Sequence, residues 1–137
     1  MAIDLTSFSD AINSLRSAIE AYSNTSLPDG SVEKETMRDG VIQRFEYTFE
    51  LSWKMLKRYL QMYGLERPDT LTAKELFRIG FEQGMLDKVE AWFDYHLARN
   101  RTSQTYNRVV AEQVYETARL FANDAQFLLD RLREKAN

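Results

Sequence analysis

The sequence predicts an all-α protein, an antiparallel up-down bundle of four to five helices. Three observations carry that expectation. Glycine and proline are sparse, five and two in 137 residues. The long segments between them repeat apolar residues every three to four positions, the period of a helix face. No segment of useful length alternates with the period of two that a half-buried strand requires. The length suits one domain spanning residues 1–137, since single domains commonly run to about 100–150 residues.

The first helix is expected from about Ser7 to Ser23, where Phe8, Ile12, Leu15, Ile19 and Tyr22 form one stripe. Asn24 to Ser31 is polar and holds Pro28 and Gly30, so it reads as a loop. The second helix is expected from Val32 to Tyr63, with Gly64 as the residue beyond its C-cap. Phe45, Phe49, Ser52, Leu56, Tyr59 and Tyr63 make one of its stripes, and Tyr47, Leu51, Met55 and Met62 a second. So broad an apolar arc predicts a central helix, or one that faces both a core and a subunit interface. Gln43, Glu46, Glu50, Lys54, Lys57 and Gln61 fill the polar remainder, with Glu50 and Lys54 spaced for an i,i+4 pair. Gly40 weakens a helix interior by about 1 kcal/mol against alanine. Close approach of another backbone, or a kink, would account for it.

Pro68 and Asp69 mark the next loop, and Thr72-Ala-Lys-Glu75 reads as a capping box. It opens a short third helix with Leu76, Phe77, Gly80 and Phe81, stopped by Gly84. Asp87-Lys-Val-Glu90 reads as a second capping box, opening a helix whose apolar stripe is Val89, Trp92, Phe93 and Leu97, with His96 on the same stripe. Asn100 to Asn107 is polar, a turn or an irregular helical join. The last helix runs from about Arg108 to Arg133 on a seam of Val110, Val114, Ala118, Phe121, Ala125, Leu128 and Leu132.

Composition narrows the chemistry. There is no cysteine and one histidine, His96, so zinc sites built on Cys and His, disulfides, thiol nucleophiles and iron–sulfur centres are excluded. No metal site or cofactor is expected, although carboxylate sites for hard cations stay open on composition alone. The net charge of −3 gives no global attraction to nucleic acid, so no DNA partner is expected and any RNA contact needs a local patch. No apolar run approaches the roughly 20 residues of a membrane span. The stretch MAIDLTSFSD has neither a basic region nor an apolar run, and the expected compartment is the cytoplasm.

Between Asp94 and Glu112 no acidic residue occurs, yet Arg99, Arg101 and Arg108 lie there among Asn100, Thr102, Ser103, Gln104, Thr105, Tyr106 and Asn107. Guanidinium forks and hydroxyls in such density can hold a phosphate, with Tyr106 as a stacking face. The alternative is a solvated join whose arginines pair with carboxylates elsewhere. Asp39, Glu46 and Glu50 could suggest a ferritin-like metal site, but the sequence lacks Glu-x-x-His and places Glu46 and Glu50 on the polar face of their helix. They read as solvated. Eight Phe, seven Tyr and two Trp suit a packed core and, secondarily, a helical dimer interface. Helices two and four are the expected seam.

Two blocks resemble a known family. Arg38-Asp-Gly-Val-Ile-Gln-Arg-Phe-Glu-Tyr-Thr-Phe-Glu-Leu-Ser-Trp-Lys54 resembles the helix-two signature of nucleotidyltransferase substrate-binding proteins, members of the HEPN superfamily with the HepT-like toxins among their relatives. Trp92 followed by Arg99-Asn-Arg-Thr-Ser-Gln-Thr-Tyr106 resembles that family's Arg-Asn-x-x-Ser-His-x-Tyr block. The resemblance covers nearly the whole chain. It implies a homodimeric helical bundle and, as partner, a minimal nucleotidyltransferase encoded in the adjacent gene. In toxin members the pair is a toxin–antitoxin module, the HEPN protein is a metal-independent ribonuclease, and the antitoxin can transfer AMP to the motif tyrosine.

Carried over, Arg99 is the motif arginine, Asn100 its polar companion and Tyr106 the modifiable tyrosine. Arg99, Asn100, Arg101, Ser103, Gln104, Tyr106 and Arg108 become candidates for contacting nucleotide or RNA. Position 104 departs from the pattern, because glutamine stands where the family has histidine, and glutamine does not titrate. Loss of general acid–base catalysis costs about 10²–10⁴-fold. The expectation is therefore a partner of a nucleotidyltransferase with weak or absent catalysis. The alternatives are an active endoribonuclease using Arg99 with His96, three residues before it, or an unidentified residue, and an oligomeric helical scaffold.

Overall fold

The computed structural model describes residues 3–64 and 68–136, leaving Met1 and Ala2 of the N-terminal stretch outside the described residues. Among the described residues five helices make the architecture: α1 is Thr6–Asn24, α2 Val32–Met62, α3 Ala73–Glu82, α4 Val89–Asn100 and α5 Arg108–Ala136. Short 3-10 turns occupy Pro68–Thr70 and Thr102–Gln104, and no strand occurs among the described residues. The all-α class expected from periodicity is the one observed.

Local chemistry sets most of the helix ends. Ser31 caps α2 by accepting from the Lys34 backbone N–H, one of the amide groups a helix start leaves unpaired. Gly64 and Gly84 take positive φ just past α2 and α3, where any residue with a Cβ is strained. The capping box at Thr72 and Glu75 is formed in both directions. The second expected box is not. Lys88 occupies the cap position of α4 with no side-chain cap bond, and its ammonium reaches Asp124 of α5 instead. With the cap at Lys88, Glu90 falls one position short of where a box needs it.

Helix α2 is central, packing against α1, α3, α4 and α5. Its first stripe, from Phe45 to Tyr59, is buried, whereas Tyr47 and Met62 of the second stripe reach the surface. No other backbone approaches Gly40; the Arg44 guanidinium lies over it and donates to its carbonyl at 3.0 Å. Gly80 has a packing reason: a Cβ there would stand 3.1 Å from Leu56 of α2.

Most of the aromatic excess is core. Phe45, Phe49, Phe77, Trp92 and Phe121 bring α2, α3, α4 and α5 together, with Phe121 meeting Phe45 edge-on at 5.3 Å and Trp92 at 5.3 Å. Each such side chain removed from water contributes on the order of 2–3 kcal/mol. Helix α4 turns differently from its predicted stripe. Trp92, Tyr95 and Ala98 are buried, while Leu97 is exposed. The Tyr95 hydroxyl donates to the buried Asp124 carboxylate of α5, and that bond orients the helix. Burial and the neighbouring carboxylate push the Tyr95 phenol far above its usual range.

Candidate functional site at the α4–α5 junction

The join between α4 and α5 is a compact helical bend. The N–H of Arg101 donates to Ala98, that of Gln104 to Arg101, and that of Asn107 to Gln104. The Asn107 side chain then accepts from the N–H groups of Val109 and Val110, satisfying the start of α5. These short links leave the side chains of Arg99 to Arg108 facing in three directions.

Arg99 turns toward α2. Its Nε donates to Glu50 at 2.9 Å, its Nη2 lies 3.8 Å from Glu46, and its Nη1 donates to Thr102 at 3.4 Å. Thr102 returns a bond to the Arg99 carbonyl at 2.9 Å. Glu46 and Glu50 are therefore not simply a solvated face, and Glu50 bonds Arg99 rather than Lys54. Two carboxylates against one guanidinium leave this cluster net negative.

His96 sits one turn before Arg99, half-buried with its ring 6.2 Å from both Phe49 and Phe77. Asn100 Nδ2 stands 3.5 Å from its Nε2. Burial lowers its pKa from the usual value; Glu50 opposes, while Lys74 and Arg99 add to the lowering. His96 is therefore neutral near pH 7. A partly exposed neutral imidazole can accept a proton.

Arg101 points the other way, into the groove between α4 and α5, and donates to Gln113 at 2.8 Å. Arg108 turns back to the start of α2 and donates to Glu35 at 3.1 Å. Glu35 also lies 3.5 Å from Arg38, which is 4% exposed. Arg38 donates to Glu112 at 2.9 Å and pairs with Asp39 at 3.2 Å. Tyr106 lies at the rim of an open cleft lined by Thr36, Arg38, Asp39 and Arg108, and is 90% exposed. Ser103 and Gln104 are exposed on the 3-10 turn.

The structure thus brings together Arg99, His96 and Asn100, with Glu46 and Glu50, and sets Arg101 apart from them. Tyr106 and Arg108 share a separate cleft. Sequence reasoning missed the Arg38 cluster and the identity of Arg99's partners. A signal was present for the second, since pairing with distant carboxylates was one of the two readings of this segment. Among the described residues no cluster of His, Asp and Glu suits a metal ion.

A helical bundle with an arginine-rich bend between its last two helices defines a class, and three comparisons narrow it. The family model described as "Nucleotidyltransferase substrate binding protein like" matches residues 3–134, and the chain belongs to that family. The chain is similar to a Haemophilus influenzae protein named "Probable ribonuclease HepT", 35% identical over 107 residues, 77% of this chain and 73% of that one. Its fold matches a solved Haemophilus influenzae structure described as a substrate-binding domain of a nucleotidyltransferase, with TM-score 0.87 and 32% identity over 95% of this chain and 99% of that one. A crystal structure from Thermus thermophilus matches with TM-score 0.70 and 32% identity over 90% of this chain and 98% of the other.

Proposed function

We propose that this chain is the partner of a small nucleotidyltransferase encoded beside it. In this reading it binds that enzyme and a nucleotide or RNA phosphate as half of a toxin–antitoxin-like pair, acts as a cytoplasmic homodimer, and cleaves RNA weakly or not at all. The family membership supports the partner. One observation carries the weak catalysis: the exposed motif position holds Gln104, and Arg99 is already held by Glu46 and Glu50. A phosphodiester entering this site would meet no titrating group at position 104 and an arginine that must first leave its carboxylates.

Tyr106 is the proposed acceptor for AMP, supported by its exposure. Its phenolic oxygen attacks the α-phosphorus of ATP, the bond to the β-phosphate oxygen breaks, pyrophosphate leaves, and the phenolic proton passes to water or to the enzyme. Incubating the chain with the neighbouring nucleotidyltransferase, Mg²⁺ and ATP should add one adenylyl group, mapped to Tyr106 by mass spectrometry and absent from Tyr106→Phe. Finding no complex and no adduct would contradict the reading.

One observation favours a second reading. His96 is neutral and lies one helical turn from Arg99, an arrangement able to take a proton from a ribose 2′-hydroxyl while the cation stabilises the phosphorane. Cleavage of RNA without metal, lost in both His96→Gln and Arg99→Ala, would establish it.

A further inference from the structure

The bend offers little free positive charge on its α2 side. Arg99 is outnumbered by Glu46 and Glu50, and Arg108 is paired with Glu35. Arg101 faces the opposite groove. A nucleic-acid strand is held through cations that displace its counterions. Two such cations stand beside α4, on α3. Lys74 and Arg78 are exposed and lie four residues apart, on one face of their helix. Both sit over the half-buried Phe93 ring of α4, the ammonium 5.5 Å and the guanidinium 5.4 Å from its centroid.

A solvated lysine or arginine is ordinary, but this pair is gathered on one ring. Like charges at that spacing repel. Among the described residues neither makes an ion pair or donates a hydrogen bond. Arg78 attracts Glu75 only at a distance, because that carboxylate closes the cap of α3 by accepting from the Thr72 N–H at 3.1 Å. An anion between the two cations relieves the repulsion and meets the free donors.

The surroundings select the anion. Phe93, His96 and Asn100 follow one another at three and four residues, so they form one strip of α4. The strip runs about 10 Å along the axis at 1.5 Å per residue and ends beside Arg99. Lys74 acts on the His96 ring through space, which ties the α3 pair to that strip. Cations and a flat ring in one line with imidazole and amide edges suit the alternating phosphates and bases of a single strand. A guanidinium plane seated on a ring is itself a surface on which a base stacks. An acidic peptide would use the charges and leave the ring idle.

We propose that Lys74, Arg78 and Phe93 form a phosphate and base subsite for single-stranded RNA, whose strand runs along α4 from α3 to Arg99. This rests on the RNA-binding reading above and deepens it. It makes the α3 pair the anchor that the net-negative cluster around Arg99 cannot be.

The test is the anisotropy of a fluorescein-labelled single-stranded RNA titrated with the full chain at low salt in EDTA, with circular dichroism confirming each fold. Lys74→Gln/Arg78→Gln weakens binding about tenfold or more, and the slope of log affinity against log salt falls by about 1.4, the share of two phosphate contacts on a single strand. Phe93→Leu keeps the apolar bulk and weakens binding about fivefold. Arg119→Gln/Arg133→Gln removes the same charge from α5 and leaves affinity nearly unchanged. If Phe93→Leu does not fold, the surface charge variants carry the test alone. Unchanged affinity and slope in the α3 variant, with Arg99→Ala still weakened, would overturn this subsite and leave the RNA reading standing. Equal losses in the α3 and α5 variants would overturn it as well, since net charge alone would explain them. Loss of binding to the neighbouring nucleotidyltransferase in the α3 variant, with RNA affinity untouched, would assign the pair to a protein and overturn it. A wild type that binds no RNA would sink the RNA reading itself and this subsite with it.

Discussion

Arg38 and Arg99 each reach carboxylates on another helix, yet their surroundings differ. Arg38 is packed between the second turns of α2 and α5, its side chain 5% exposed, and holds Glu112, Glu35 and Asp39 within 3.5 Å. Arg99 sits at the open end of α4, its side chain 30% exposed, with Glu50 at 2.9 Å and Glu46 at 3.8 Å. A buried guanidinium ringed by carboxylates joins two helices and keeps little surface for a ligand. An open one, held by flexible side chains in solvent, can exchange its partners. Both arginines stand in the blocks that resemble the family, but only the second leaves a substantial part of its side chain in solvent.

Four predictions probe that contrast. The largest effect is expected at the open site. Gln104→His should create or raise RNA cleavage by up to about 10²–10⁴-fold if a missing titrating group is the main deficit there. No gain would show that the open cluster has diverged further. At the sealed site Arg38→Met should lower the unfolding free energy in urea by about 2–3 kcal/mol, less than a fully buried pair because Glu112 and Asp39 reach solvent. Arg99→Met should cost under about 1 kcal/mol in the same experiment. Equal costs would erase the distinction between the two clusters.

Glu50→Gln removes a carboxylate from Arg99, so AMP should bind about tenfold more tightly in calorimetry at low salt. Unchanged affinity would remove Arg99 from the phosphate contacts. The smallest effect concerns pH. His96 has a folded-state pKa below its unfolded value near 6.5, so the folded protein binds fewer protons than the unfolded one. Its contribution to stability is complete above that value and falls as pH drops through the folded pKa. Urea melts of His96→Gln should lose less stability than wild type over that acid range, and a parallel loss would contradict the assignment.

The sequence made the helix ends more legible than the helix facings. Gly64, Gly84 and the Thr72–Glu75 box act within a few residues, so their chemistry can be read locally. The facing of α4 was less readable, because Trp92, Phe93, Tyr95 and Leu97 put apolar groups nearly all round it. Tyr95 is turned inward by Asp124, a residue 29 positions away. The same distance problem hid the site's electrostatics. Arg99 and Glu50 are 49 residues apart, and Arg38 and Glu112 are 74 apart. Spacing showed that carboxylates could neutralise the arginines of the bend, but only the packing of α2 against α4 and α5 shows which ones do. Position 104 was legible from the resemblance alone, and its exposed place on the 3-10 turn agrees with a site still presented to solvent.

The central claim is that this bend binds rather than cuts. Its most direct test is incubation of the purified chain with a labelled single-stranded RNA in excess EDTA, beside the Arg99→Ala variant. The account predicts intact RNA with both proteins. RNA cleaved by the wild type and spared by Arg99→Ala would contradict it.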